Sequence, residues 1–162
     1  VTDAVVRNAV PADVAAICRF GERYIEDHYT PIIGPEAAAA QVRDWWNAET
    51  IAAAVDAGLV VVAEGEGEIL GVAQRGRHGD DHVVYKLYVH PRHRGRGIGP
   101  RMLDALIAQL PPGTDRLYIE HFAGNVRAAA FYEREGYHVA RREPSPTGDP
   151  ALDVVWRVRR LD

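Results

Sequence analysis

Arg92, Arg94, Arg96 and Arg101 follow one another in a short run interleaved with Gly95, Gly97 and Gly99, with His90 and His93 beside them and no acidic side chain between. That pattern suits an anion. Glycines let an oxyanion approach backbone N–H groups without a Cβ in the way, and a helix that starts there adds about half a positive charge. Arg94 and Arg96 supply charge-assisted donors, which match a pyrophosphate better than a neutral ligand. Two familiar phosphate motifs do not fit: a dinucleotide fingerprint needs Gly where Pro100 stands, and a P-loop needs Gly-Lys-Ser/Thr. Further along, Asn125, Ala128, Ala129 and Tyr132 fall at i, i+3, i+4 and i+7, one face of a helix. Its two alanines leave room for a slender ligand.

The elements that must position these residues are readable from pattern. Ala4–Val10 reads as a strand, and Pro11-Ala12-Asp13 opens a helix with Val14, Ile17 and Cys18 on its apolar side. Tyr29–Gly34 reads as a loop before a second helix, Pro35–Val55, which carries Trp45 and Trp46. Leu59–Ala63 and Ile69–Ala73, separated by Glu64–Glu68, form an antiparallel hairpin, and His82–Val89 is the next strand. The Arg/Gly loop then enters an amphipathic helix with Met102, Leu103, Leu106, Ile107 and Leu110, stopped by Pro111-Pro112-Gly113. Arg116–Phe122 is a strand, Asn125–Glu135 a helix closed by Gly136, and Tyr137–Arg142 and Leu152–Arg159 are the last strands. The order βααβββαβαββ predicts an α/β fold of the α+β type: one domain over residues 1–162, a mixed, mostly antiparallel sheet of about seven strands flanked by about four helices. Function is expected at the strand–loop–helix crossover around the glycines.

Composition narrows the class. With 47% apolar and 26% charged residues the chain matches globular averages. Cys18 stands alone, and Val1–Val10 carries Asp3, Arg7 and Asn8, too polar for a signal sequence, so a cytoplasmic location is expected. No apolar run is long enough for a membrane span. The net charge of −4 argues against a general nucleic-acid binder.

The segment Leu87-Tyr88-Val89-His90-Pro91-Arg92-His93-Arg94-Gly95-Arg96-Gly97-Ile98-Gly99 resembles the acetyl-CoA-binding motif of the GNAT superfamily of N-acetyltransferases, Gln/Arg-x-x-Gly-x-Gly/Ala. Arg94, Gly97 and Gly99 match it, while Pro100 departs from it and removes one N–H. The segment Asn125–Tyr137 resembles the family's second hallmark, Asn-x-x-Ala-x-x-(Phe/Leu)-Tyr-x-x-x-Gly-(Phe/Tyr). The resemblance implies a GNAT-like domain that uses acetyl-CoA and no metal. It further implies that Leu87, Tyr88 and Val89 pair with the pantetheine arm and the acetyl carbonyl, that Arg94–Gly99 (Arg94, Gly95, Arg96, Gly97, Ile98, Gly99) hold the pyrophosphate, and that Asn125 and Ala128 contribute from the second motif.

Under that resemblance the chemistry assigns roles. A phenol with a pKa near ~10 stays protonated at neutral pH and can give its proton to a departing thiolate, so Tyr132 is the expected general acid. The acceptor amine must lose a proton, and Glu120, five residues before Asn125, holds the place of a glutamate in similar N-terminal acetyltransferases of ribosomal proteins. Asn125 also reads as an N-cap, Tyr132 as a core aromatic and Glu120 as a plain strand residue. His82 and His121 are reserve bases. Histidines 78, 82, 90 and 93 lack acid or thiol partners at ligand spacing, so no metal is implied. In this superfamily the first two helices build the acceptor pocket, which points to Glu22, Tyr24, Glu26, Asp27, His28, Tyr29, Trp45 and Trp46. Acids with aromatics suit a cationic amine, small-molecule or protein-borne. The competing classes are a non-catalytic acyl-CoA-binding regulatory module and a toxin-like acetyltransferase of charged tRNA, the latter disfavoured by the acidic pI. Homodimers are common among relatives.

Overall fold

The structure is a computed structural model that describes residues 4–162. Of the residues that argue against a signal sequence, Asp3 lies outside the described residues. Among those described, no helix is long and apolar enough to cross a membrane.

In chain order the strands are β1 (Val5–Asn8), β2 (Val60–Gly65), β3 (Glu68–His78), β4 (Asp81–Val89), β5 (Arg116–Phe122), β6 (His138–Glu143) and β7 (Val154–Arg160). The helical segments are α1 (Val14–Phe20), α2 (Glu26–Ile33), α3 (Pro35–Trp45), α4 (Ala48–Asp56), α5 (Ile98–Ala108) and α6 (Val126–Arg134). A π turn, Gly21–Ile25, joins α1 and α2 into one continuous helix. The sheet order is β1-β2-β3-β4-β5-β7-β6. The pairs β1–β2, β2–β3, β5–β7 and β6–β7 are antiparallel, and β4–β5 is parallel, with Val83 opposite Tyr118 and Val84 opposite Ile119. This is the mixed, mostly antiparallel sheet that the residue pattern predicts.

The chain gathers into two compact units. The first comprises the described part of Val1–Arg75 with Lys86–Gln109. Its core joins Ile17, Phe20, Ile25 and Ile51 with Val60–Ala63, Val72, Met102, Leu103 and Leu106, all buried. The helix α5 lies against β1 and β2. There Gly71 is required by space, since a Cβ would stand 2.8 Å from the Met102 methyl. The second unit comprises Gly76–Tyr85 with Leu110–Asp162 and centres on Leu117, Ile119, Tyr137, Val155 and Trp156.

Two local readings need correction. Tyr29–Gly34 is not a loop: α2 runs through Pro31 to Ile33 and stops at Gly34, where φ is 89°. Pro31 lies in the last turn, where it forfeits a single helical bond, and the buried Tyr29 anchors the segment. Pro35–Val55 is not one helix: it breaks at Trp46 and Asn47, whose side chain accepts from Thr50 N at 2.8 Å and caps α4. The helices among the described residues therefore number five rather than four when α1 and α2 are taken together.

Candidate active site

Beyond Val89 the chain turns through Pro91–His93, with the His90 Nδ1 accepting from Arg92 N at 3.1 Å. It passes Gly95 and Gly97, both left-handed with φ of 77° and 80°, a conformation that carries a steric cost for other residues. A Cβ at either glycine would meet nothing within 4 Å, so the backbone here faces open space. Gly97 is the N-cap of α5 and offers no side-chain acceptor, and the first bond within the helix runs from Arg101 N to Gly97 O at 3.2 Å. The N–H groups of Ile98 and Gly99 thus stand at an uncapped helix end. Pro100 sits inside that first turn, where its absent N–H has no helical partner to lose. Arg94, Arg96 and Arg101 are exposed around this end, and Arg96 and Arg101 form no ion pair among the described residues. Open glycine backbone, an uncapped helix terminus and surrounding guanidinium groups fit a pyrophosphate.

In the same unit, half-buried Leu87, Tyr88 and Val89 lead into this loop. Aromatic side chains from the first helices collect against them. The hydroxyls of Tyr29 and Tyr88 share a hydrogen bond, Trp46 meets Tyr88 at 5.5 Å, and Tyr24 meets His90 at 4.7 Å. Trp46 is 3% exposed and stacks on Phe20. Gly21 permits this, because a Cβ there would stand 2.7 Å from the indole. Of the expected acceptor-pocket residues, Tyr24, His28, Tyr29 and Trp46 come together, whereas Glu22, Glu26 and Asp27 face solvent and Trp45 is 54% exposed. The acids that suggested a cationic ligand stay outside the ring cluster. The basic residue within it escaped sequence reasoning: Lys86 is buried, donates to Gln74 Oε1 at 3.0 Å and lies 5.4 Å from the Trp46 ring centre. Burial pushes its ammonium down to about 8.

The second unit holds the proton-transfer candidates. Asn125 caps α6, accepting from Ala128 N at 3.3 Å. Tyr132 is 7% exposed and stacks with His121 at 6.0 Å, and its carbonyl accepts from Tyr137 N at 2.9 Å around Gly136, where φ is 90°. The His121 Nε2 accepts from Arg157 Nε at 2.9 Å, which makes Nδ1 the protonated nitrogen, donating to Phe122 O at 2.8 Å. Burial holds this imidazole below its ordinary value, and Arg157 adds to the effect. Both nitrogens being committed, His121 is fixed as a neutral ring against Tyr132 and is poorly suited to act as a base. Arg157 is itself held by Glu133 Oε2 at 2.5 Å and Tyr137 O at 3.0 Å. Glu120 is half-buried, opposite Trp156 on β7. Burial raises its pKa, the nearby Glu143 carboxylate raises it further, and His78 and Arg141 act in the opposite direction. No group of three His, Cys, Asp or Glu side chains among the described residues is placed to hold a metal ion.

The chain thus carries a strand–glycine loop–helix with an uncapped helix end and, later, a helix with a buried tyrosine. Residues 56–139 match the acetyltransferase (GNAT) domain model, and the chain belongs to the GNAT acetyltransferase family. Among solved structures, the PaiA N-acetyltransferase of Thermoplasma acidophilum, in complex with coenzyme A, is similar over 98% of this chain and 99% of that one, with TM-score 0.80 and 15% identity. YncA of Salmonella typhimurium, with its cofactor acetyl-CoA, gives 0.65 and 22% over 99% and 95%. The ribosomal-protein-S18-alanine N-acetyltransferase of Escherichia coli gives 0.67 and 20% over 98% and 94%. At these identities the likeness is one of fold.

Proposed function

We propose that this chain transfers the acetyl group of acetyl-CoA directly to a primary amine while both are bound. The observation that carries the reading is the uncapped N-terminus of α5 behind the left-handed Gly95 and Gly97, with arginines on the open side. The family match supports coenzyme A as the pyrophosphate ligand at that end of α5. Acetyl-CoA supplies the acetyl group as a thioester and departs as the thiol. Tyr132 holds a proton at its phenol oxygen at neutral pH and gives it to the leaving sulfur. Glu120 takes the proton that the acceptor amine must lose, directly or through water. Its raised pKa supports that role, since a stronger base draws a proton from an ammonium more readily. Leu87, Tyr88 and Val89 align the donor arm through their backbone.

Thiol release from acetyl-CoA across a panel of primary amines, run beside Tyr132→Phe, tests this. Turnover with at least one amine, cut roughly a hundred-fold or more by Tyr132→Phe, is expected for loss of a general acid. Coenzyme A binding without turnover of any amine refutes the catalytic reading in favour of an acyl-CoA-binding module. Undiminished activity in Tyr132→Phe refutes the acid assignment alone.

A further inference from the structure

Of the 19 Lys and Arg residues in the chain, Lys86 alone is a lysine. It is also the basic residue that the fold places in the aromatic cluster beside Leu87–Val89. It is 6% exposed, and its ammonium, with three N–H donors, has one polar partner among the described residues: the neutral Gln74 Oε1 at 3.0 Å. The Trp46 face at 5.4 Å gives partial electrostatic compensation. No carboxylate among the described residues pairs with it. The acids on the same helical stretch, Glu22, Glu26 and Asp27, are turned to solvent. A buried ammonium without a counter-charge is costly, and here that cost shows as a value lowered to about 8 by burial. An arrangement that opposes its own charge gains most when an anion arrives.

We propose that Lys86 is the anion-recognition point of the acceptor site, and that the amine this chain acetylates is a small molecule of amino-acid type whose carboxylate docks on the Lys86 ammonium beside Trp46 and Tyr88. The proposal rests on the acetyltransferase reading above. Lys86 directly precedes the strand segment assigned to the donor, so an acceptor anchored there through its carboxylate keeps its amino group near the acetyl end. The same positive charge disfavours polyamines and other purely cationic acceptors, since like charges meet in a poorly screened interior.

Two measurements on the full chain test it. The first is thiol release from acetyl-CoA with matched sets of an amino acid, its carboxamide and the corresponding decarboxylated amine. The acids are expected to lead by roughly ten- to hundred-fold in kcat/KM, the range for one charge-assisted contact. In Lys86→Met that acid-to-amide ratio is expected to fall to near one, and in Lys86→Arg to be partly restored. The second measurement needs no turnover: in protein labelled with 15N-lysine a single Nζ resonance reports this residue, and the same acids, but not the amides, are expected to move it in a saturable way.

Amides or plain amines turned over as well as acids overturn the proposal while leaving the acetyltransferase reading intact. An Nζ resonance untouched by every acid likewise overturns it. Saturable shifts by acids with no acetyl transfer to any acceptor support the anion site and refute the acetyltransferase reading. Lys86→Met losing acids and amides equally, with its thermal midpoint not lowered, reduces Lys86 to a positioning role without anion recognition and overturns the proposal.

Discussion

Replacing Lys86 by methionine shortens the side chain by one heavy atom and removes its charge, and the structure predicts that the protein becomes more stable. The difference between the ordinary lysine value of 10.5 and about 8 in the fold corresponds to about 3 kcal/mol by which burial disfavours the ammonium. Methionine escapes that penalty. It leaves Gln74 Oε1 without its donor, a loss of about 1 kcal/mol, and gives up the contact with the Trp46 face, worth at most about 1 kcal/mol. The net gain is about 1–2 kcal/mol near neutral pH, or a rise of about 3–6 °C in Tm for a chain of this size.

The sign with pH follows from the folded value lying below the unfolded one. Under about pH 8 both states hold the proton and the penalty is complete. Between about 8 and 10.5 the unfolded chain keeps a proton that the folded chain has released, so the wild-type protein gains stability as pH rises. The advantage of Lys86→Met therefore shrinks toward pH 10. Urea unfolding of both proteins, followed by tryptophan fluorescence from pH 7 to 9.8, measures it. A variant less stable than wild type at pH 7, or a difference that does not change with pH, refutes the reasoning.

Other outcomes follow from the site. Arg94→Ala combined with Arg96→Ala is expected to weaken coenzyme A binding roughly ten- to hundred-fold by calorimetry; an unchanged Kd rejects the pyrophosphate assignment. Gly97→Ala places a Cβ on a residue with φ of 80° and is expected to cost about 1–2 kcal/mol in denaturant stability, whereas a neutral result shows that the loop adapts. Because the Glu120 pKa is raised, kcat/KM is expected to fall with acid through a value above the ordinary glutamate range. Glu120→Gln removes that limb of the profile if Glu120 is the base. Arg157→Met deprives the His121 Nε2 of its donor, and 15N shifts of that ring are expected to move away from the fixed Nδ1–H tautomer.

The strands and the two helices of the glycine crossover were legible because local signals agree there with the final packing. Alternation in Arg116–Phe122, the Asn125 cap and the Gly136 stop each mark a boundary that the structure keeps. The first helices were harder. Pro31 carries a strong local stop signal, yet it falls in the last turn of α2, where it forfeits a single helical bond. Asn47 was a readable cap inside a long alanine-rich run, masked by the helix propensity on either side. The aromatic cluster depends on residues distant in sequence, so periodicity could not assign Lys86 and Gln74 to it. The one available signal was that a chain relying on arginine keeps a single lysine.

The π turn between α1 and α2 has a bearing on how this pocket can be altered. Ile17, Gly21, Ile25 and Tyr29 are buried at four-residue intervals. In a regular α-helix each such step overshoots a full turn by about 40°, and the stripe slides around the helix. A turn that takes up an additional residue returns the drift, which is how Tyr29 still meets Tyr88. The additional residue is absorbed within Gly21–Ile25, so removing it returns the turn to regular geometry and leaves His28 and Tyr29 in place, whereas a residue removed from a regular helix swings everything beyond it by about 100°. This turn can therefore gain or lose its extra residue without changing which aromatic faces line the pocket.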